Sequence, residues 1–163
     1  MLAVLAVTLL TGCGDSSKPK PISVRPIRPI GLSLSGLRTL AHAVPQPIYW
    51  AGPRPGVTYE LQRTSTGYVY LRYLPPGAKV GSNSASVLVV ATYPSKGALD
   101  ALKKVAGSAA VTIPHGGIAF PDTKDARSVH LAYPRSNYQV EVYSPSPVRS
   151  LGLARSGAVR PVA

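Results

Sequence analysis

The sequence predicts an α+β domain: an antiparallel β-sheet built from hairpins, with two or three short helices on one face. Three observations carry that expectation. Two stretches alternate apolar and polar residues on both sides of a short turn, the pattern of half-buried hairpins. Two further stretches repeat apolar residues at helical spacing between caps and breakers. A hydrophobic content of 45% suits a folded chain rather than a disordered one.

The first helix is expected over about 34–44. Leu34, Leu37, Leu40 and Ala41 recur at helical spacing, Ser33 or Ser35 is available as N-cap, and Pro45 and Pro47 end the run. Residues 47–52 read as a short strand leading into a turn marked by Pro53, Pro55 and Gly56. The first hairpin sets 59–63 against 69–73 across Ser65-Thr66-Gly67. That register places Leu61 opposite Leu71 and Tyr59 opposite Tyr73 on an inner face, with Glu60 opposite Arg72 on the outer one.

Residues 87–93 form a buried-type strand. Pro94 leads into a helix over about 96–106, whose stripe of Ala98, Leu99, Leu102 and Val105 is closed by Gly107. Short strands at 111–113 and 118–120 flank Pro114-His115-Gly116-Gly117. The second hairpin pairs 129–133 with 138–142. It sets Leu131 opposite Val140, Val129 opposite Val142, Tyr133 opposite Tyr138 and, on the outer face, His130 opposite Glu141. A short helix near 147–154 and a strand at 159–162 follow. The order helix, short strand, hairpin, long strand occurs twice, so residues 35–93 and 96–143 are candidate repeats. Shared composition would produce the same likeness.

Ahead of the domain stands an apolar run, residues 1–10, shorter than the roughly 20 residues of a membrane-spanning helix. Leu10-Thr11-Gly12-Cys13 closes it, and Cys13 is the only cysteine. Run and tetrapeptide together resemble the h-region and lipobox of bacterial lipoprotein signal peptides. The resemblance implies that residues 1–12 are a signal peptide, with Leu10, Thr11 and Gly12 recognised during processing, and that Cys13 becomes the lipidated N-terminus. It implies a protein anchored to the cell membrane on the extracytoplasmic side. The run lacks the basic n-region usual in signal peptides, which leaves the start codon open. The plainer reading is an apolar strand or helix with an incidental cysteine. Residues 13–32 then form a Pro-rich basic tether and 33–163 a single domain. Beyond the lipobox, the chain is similar only in style to small envelope lipoproteins of actinobacterial type.

The chain carries 18 basic against 6 acidic residues, a net charge of +12. Such a balance attracts polyanions. Export removes nucleic acid as the expected partner and leaves lipid headgroups or anionic wall polymers. Compositional drift in a GC-rich genome explains the same charge. With a single cysteine no disulfide framework is available.

No catalytic constellation stands out. No serine lies in a Gly-x-Ser-x-Gly elbow, no Gly-Lys-Ser/Thr follows Gly116-Gly117, and no cofactor motif is present. No metal is expected, because His42, His115 and His130 are scattered and no Asp/Glu cluster forms a calcium loop. Asp122 and Asp125, either side of Lys124, read as a solvated turn. Of the 9 tyrosines, Tyr59, Tyr73, Tyr133 and Tyr138 are placed inward by alternation. Tyr49, Trp50, Tyr68 and Tyr70, with Tyr143, are the candidate ligand surface, a groove for sugar or peptidoglycan strands. Ordinary use of Tyr in strands is the competing explanation.

The expectation is therefore a membrane-anchored, non-enzymatic envelope module that binds an anionic wall polymer, a glycan or another envelope protein. An edge strand such as 118–120 would serve the last of these. The alternative is a hydrolase with an unrecognised site near His115, whose glycine neighbours leave it open.

Overall fold

In the computed structural model, which describes residues 27–163, the hairpins merge into one eight-stranded antiparallel sheet. Ile27–Leu32 is β1, followed by helix α1 (Leu34–Ala43), β2 (Tyr49–Trp50), β3 (Thr58–Arg63), β4 (Val69–Leu74) and β5 (Leu88–Pro94). Helix α2 (Ala98–Ala106) leads to β6 (Val111–Ile113), β7 (Gly117–Pro121), β8 (Ser128–Ala132) and β9 (Tyr138–Tyr143). Helix α3 (Pro147–Arg155) and β10 (Arg160–Pro161) follow. The order across the sheet is β1-β3-β4-β5-β9-β8-β7-β6, while β2 and β10 pair in a small second sheet. The α+β class and the hairpin-built antiparallel sheet are as the sequence predicts.

Local chemistry explains the helix ends. Ser33 caps α1, its Oγ accepting from Gly36 N at 3.1 Å, and Ser146 does the same for α3 from Arg149 N at 3.4 Å. Gly107 ends α2 with φ +51°, a conformation a side chain resists. His42 lies exposed in the last turn of α1.

One element was not expected. Residues 27–32 belong to the predicted tether, yet they pair with β3 as an edge strand. Proline is tolerated at an edge, where a missing N–H leaves no ladder bond unmade. The register shifts between Ile27 and Ile30, a bulge that takes up Pro29. The remainder of the expected tether and the expected signal peptide, with Leu10, Thr11, Gly12 and Cys13, lie outside the described residues.

Register sorts the side chains onto two faces. Tyr59, Leu61, Leu71, Tyr73, Val90, Val129, Leu131, Val140 and Val142 share the first and are buried. Over them lie α1, α3 and the β2–β10 pair, through Leu37, Trp50, Ala154 and Val159. Helix α2 sits on the opposite face, where Ala98 and Leu102 pack on Ile118 and Ala132. Two of the three helices thus share a face and the third does not. The candidate repeats each contribute a three-strand meander, β3-β4-β5 and β7-β8-β9, joined through β5 and β9. A two-fold axis normal to the sheet would exchange those meanders, but it would leave α1 and α2 on the same face. The helices break that symmetry.

Four further expectations need correction. Glu60 does face Arg72, but it is only 1% exposed, because the segment 75–87 folds over this end of the sheet. Its carboxylate accepts from Arg72 Nη1 at 2.6 Å and from the Gly81 N–H. His130 lies opposite Glu141 in register, yet their side chains bond elsewhere. Strand 118–120 is interior, flanked by β6 and β8, so the sheet edges are β1 and β6. Tyr133 also leaves the second hairpin. The last pair there is Ala132 with Gln139, and Tyr133 stacks on Tyr49 instead, with centroids 5.7 Å apart.

Candidate functional site

The second face of the sheet is covered at its two ends and open between them. Segment 75–87 closes the β3–β4 end and α2 the β7–β8 end. In between, register sets three transverse rows on this face. Tyr68 lies beside Tyr93 and Gln139, Tyr70 beside Ala91 and Glu141, and Arg72 beside Val89 and Tyr143. The central strand β5 contributes the small members of two rows, Ala91 and Val89. Large side chains on β4 and β9 therefore stand up around a low floor. The resulting concavity has a volume of about 180 Å³ and is lined by Tyr70, Val89, Ala91, Tyr93, Glu141 and Tyr143.

The walls brace one another and are also held from outside the concavity. Tyr93 meets Tyr68 edge-on with centroids 5.0 Å apart, and Tyr70 likewise at 6.1 Å. Tyr143 donates its hydroxyl to Ala85 O at 2.9 Å, and the Arg127 guanidinium lies over its ring at 5.4 Å. Arg127 is itself held by a two-pronged pair with Asp125, both contacts at 2.9 Å.

Glu141 forms the polar base. Its two carboxylate oxygens accept from Tyr93 OH at 2.7 Å and from Ser128 Oγ at 2.6 Å. Burial, followed by this bond to the carboxylate, holds the Tyr93 hydroxyl far above the usual phenol range. It stays a protonated donor. Each carboxylate oxygen retains a lone pair for a further hydrogen bond.

The candidate surface read from the sequence divides here. Tyr70 lines the concavity and Tyr68, 40% exposed, supports its rim; Tyr143 also belongs to it. Tyr49 and Trp50 do not belong. They are 5% and 2% exposed on the other side of the sheet, because β2 pairs with β10 and lies flat on the core. Tyr93 and Glu141 were missed. Carrying the Tyr68–Tyr70 alternation across to Val89-Ala91-Tyr93 would have found the first. Nothing in the sequence alone sets Ser128 and Tyr93 on Glu141.

The histidines sit apart from this face or are occupied. His130 Nε2 lies 3.0 Å from Asp122 Oδ2 and Nδ1 lies 3.1 Å from Gln139 Nε2, so both ring nitrogens are engaged. Asp122 also accepts from the N–H groups of Lys124 and Asp125. The His130 bond first, then these two, pull its carboxyl down to about 2. His115 is exposed in a turn, with no hydrogen bond or ion pair to another described residue. The cavity beside it is lined by no serine, cysteine or carboxylate. Among the described residues, no group of three or more His, Cys, Asp or Glu could hold a metal ion, and no helix is long and apolar enough to cross a membrane.

Comparison with protein-family models, with curated proteins and with solved structures found no match.

Proposed function

We propose that this chain is a lipid-anchored envelope protein that binds glycan on the open tyrosine face of its sheet. The observation that carries the reading is the low Val89–Ala91 floor walled by Tyr70, Tyr93 and Tyr143, with the Glu141 carboxylate at its base. A sugar ring has an apolar C–H face and a rim of hydroxyls. Aromatic walls suit the first and a carboxylate acceptor suits the second. The same carboxylate disfavours a polyanion at this place. The concavity is smaller than the roughly 300–1,000 Å³ clefts of drug-sized ligands, which fits one sugar unit of a longer strand. Attachment through Cys13 would hold this face near wall polymer, with the +12 charge assisting approach to an anionic surface.

The test is titration of the full chain with peptidoglycan glycan strands, followed by calorimetry. Each of Tyr70→Ala and Tyr143→Ala is expected to weaken binding roughly fivefold, about 1 kcal/mol per aromatic contact. Binding that ignores both substitutions and collapses in salt would instead mark an electrostatic polymer contact and sink the glycan reading. Intact mass of the membrane-extracted protein tests the anchor. The mature chain should begin at Cys13 and carry the added acyl mass.

A further inference from the structure

A second cavity lies on the opposite side of the sheet, where the β8–β9 turn, the Pro114–Gly116 turn and β10 meet. It has a volume of about 210 Å³. Its apolar wall is the Tyr49–Tyr133 stack, whose rings lie within 11° of parallel, together with Val159. Tyr133 donates its hydroxyl to Val159 O at 2.7 Å, which ties the wall to β10. The rim carries two exposed nitrogen-bearing side chains, His115 and Arg160. Neither has a hydrogen bond or ion pair to another described residue, and no acidic residue lines the cavity.

The backbone around this cavity is unusual. Only two non-glycine residues among those described have left-handed φ, His115 at +64° and Arg135 at +58°. One lines the cavity, and the other follows its lining residue Pro134. Three glycines let the surrounding loops close on each other. A Cβ at Gly116 would come within 3.3 Å of Pro134, at Gly117 within 2.8 Å of Tyr133, and at Gly157 within 3.0 Å of Pro114. Backbone in sparsely populated regions persists where the surroundings enforce it, and it clusters at ligand sites.

We infer that this cavity binds a small organic carboxylate carried on a flat apolar body. The Arg160 guanidinium offers a planar pair of N–H donors that matches a carboxylate, and among the described residues it has no counter-ion to displace. His115, which also lines the cavity, supplies a further donor. The tyrosine stack and Val159 bury the apolar body. At about 210 Å³ the space suits a body of about one ring and falls below the roughly 300 Å³ of drug-sized ligand clefts. The site is separate from the tyrosine face, and neither reading depends on the other.

Benzoate is the probe, titrated into the full chain and followed by NMR. Benzamide serves as its neutral twin and acetate as the anion without a ring. Benzoate should saturate, with benzamide and acetate each at least tenfold weaker. Arg160→Gln should weaken benzoate tenfold or more and leave benzamide unchanged. His115→Gly, which keeps the left-handed backbone relaxed, should weaken benzoate severalfold. Tyr143→Ala, in the other site, should leave benzoate binding unchanged. Should Arg160→Gln lower the thermal midpoint, His115→Gly still reads the site. The inference is overturned if benzoate binds no better than benzamide, if both variants bind benzoate as the parent does, or if no saturation is reached by about 10 mM.

Discussion

Replacing Glu60 by Ala tests the most consequential departure from the sequence expectation. The carboxylate is 1% exposed, accepts from Arg72 Nη1 at 2.6 Å, and receives the N–H of Gly81 on its other oxygen. Arg72 is 14% exposed at its side chain and also donates to Ser82 O and Ser84 O. Removing the acid strands a mostly buried guanidinium and leaves one N–H unpaired. Breaking a buried ion pair costs about 3–5 kcal/mol. Arg72 keeps two carbonyl partners and some water, so the lower end, about 3 kcal/mol, is expected. For a chain of this size each kcal/mol moves the midpoint by roughly 2–4 °C, so the melt should fall by about 10 °C. Urea titration should show a lower midpoint with an unchanged slope. Amide exchange should quicken across 79–86, because the Gly81 bond helps hold that segment down. A loss under about 1 kcal/mol would mean that Glu60 is solvated, as the simple outward reading has it, and would refute the covering role given to the segment.

Two further outcomes follow from the geometry. Asp122 has a folded-state pKa of about 2 against an ordinary 3.8, so its contribution is fully present above pH 4 and is lost as pH falls toward 2. Urea midpoints of Asp122→Asn should therefore vary less than the parent's between pH 4 and 2, and identical slopes there would refute the His130 bond as the cause. Gly117→Ala places a Cβ 2.8 Å from the Tyr133 ring and 2.9 Å from the backbone oxygen of Ala132, which cannot give way. It should cost about 1–3 kcal/mol by chemical denaturation, and a neutral result would show that the β7–β8 contact is looser than described.

The hairpins were legible because their information is local. Turn length and alternation within about 15 residues specify that Leu61 meets Leu71 and Val129 meets Val142, and both pairs form. Helix bounds were legible for the same reason, since Ser33 and Gly107 act on their own neighbours. The tyrosine site was half legible. Tyr70 and Tyr143 could be singled out from residue type, but Ala91 matters only because register inserts it between Tyr70 and Glu141. Tyr49 and Trp50 misled for a related reason. A two-residue strand has no alternation to show which way it faces, and here it packs flat on the core.

By itself the sequence determined the class of fold, the two hairpin registers, the helix ends and the sorting of strand residues into two sets. Tertiary structure alone decided which set is buried where. It placed 27–32 on the sheet edge, folded 75–87 over Glu60, put α2 on the face opposite α1, and left a gap above Ala91. Alternation with a period of two says which side chains share a face, a property of one strand. Whether that face meets water depends on segments far away in the chain that come to lie over it.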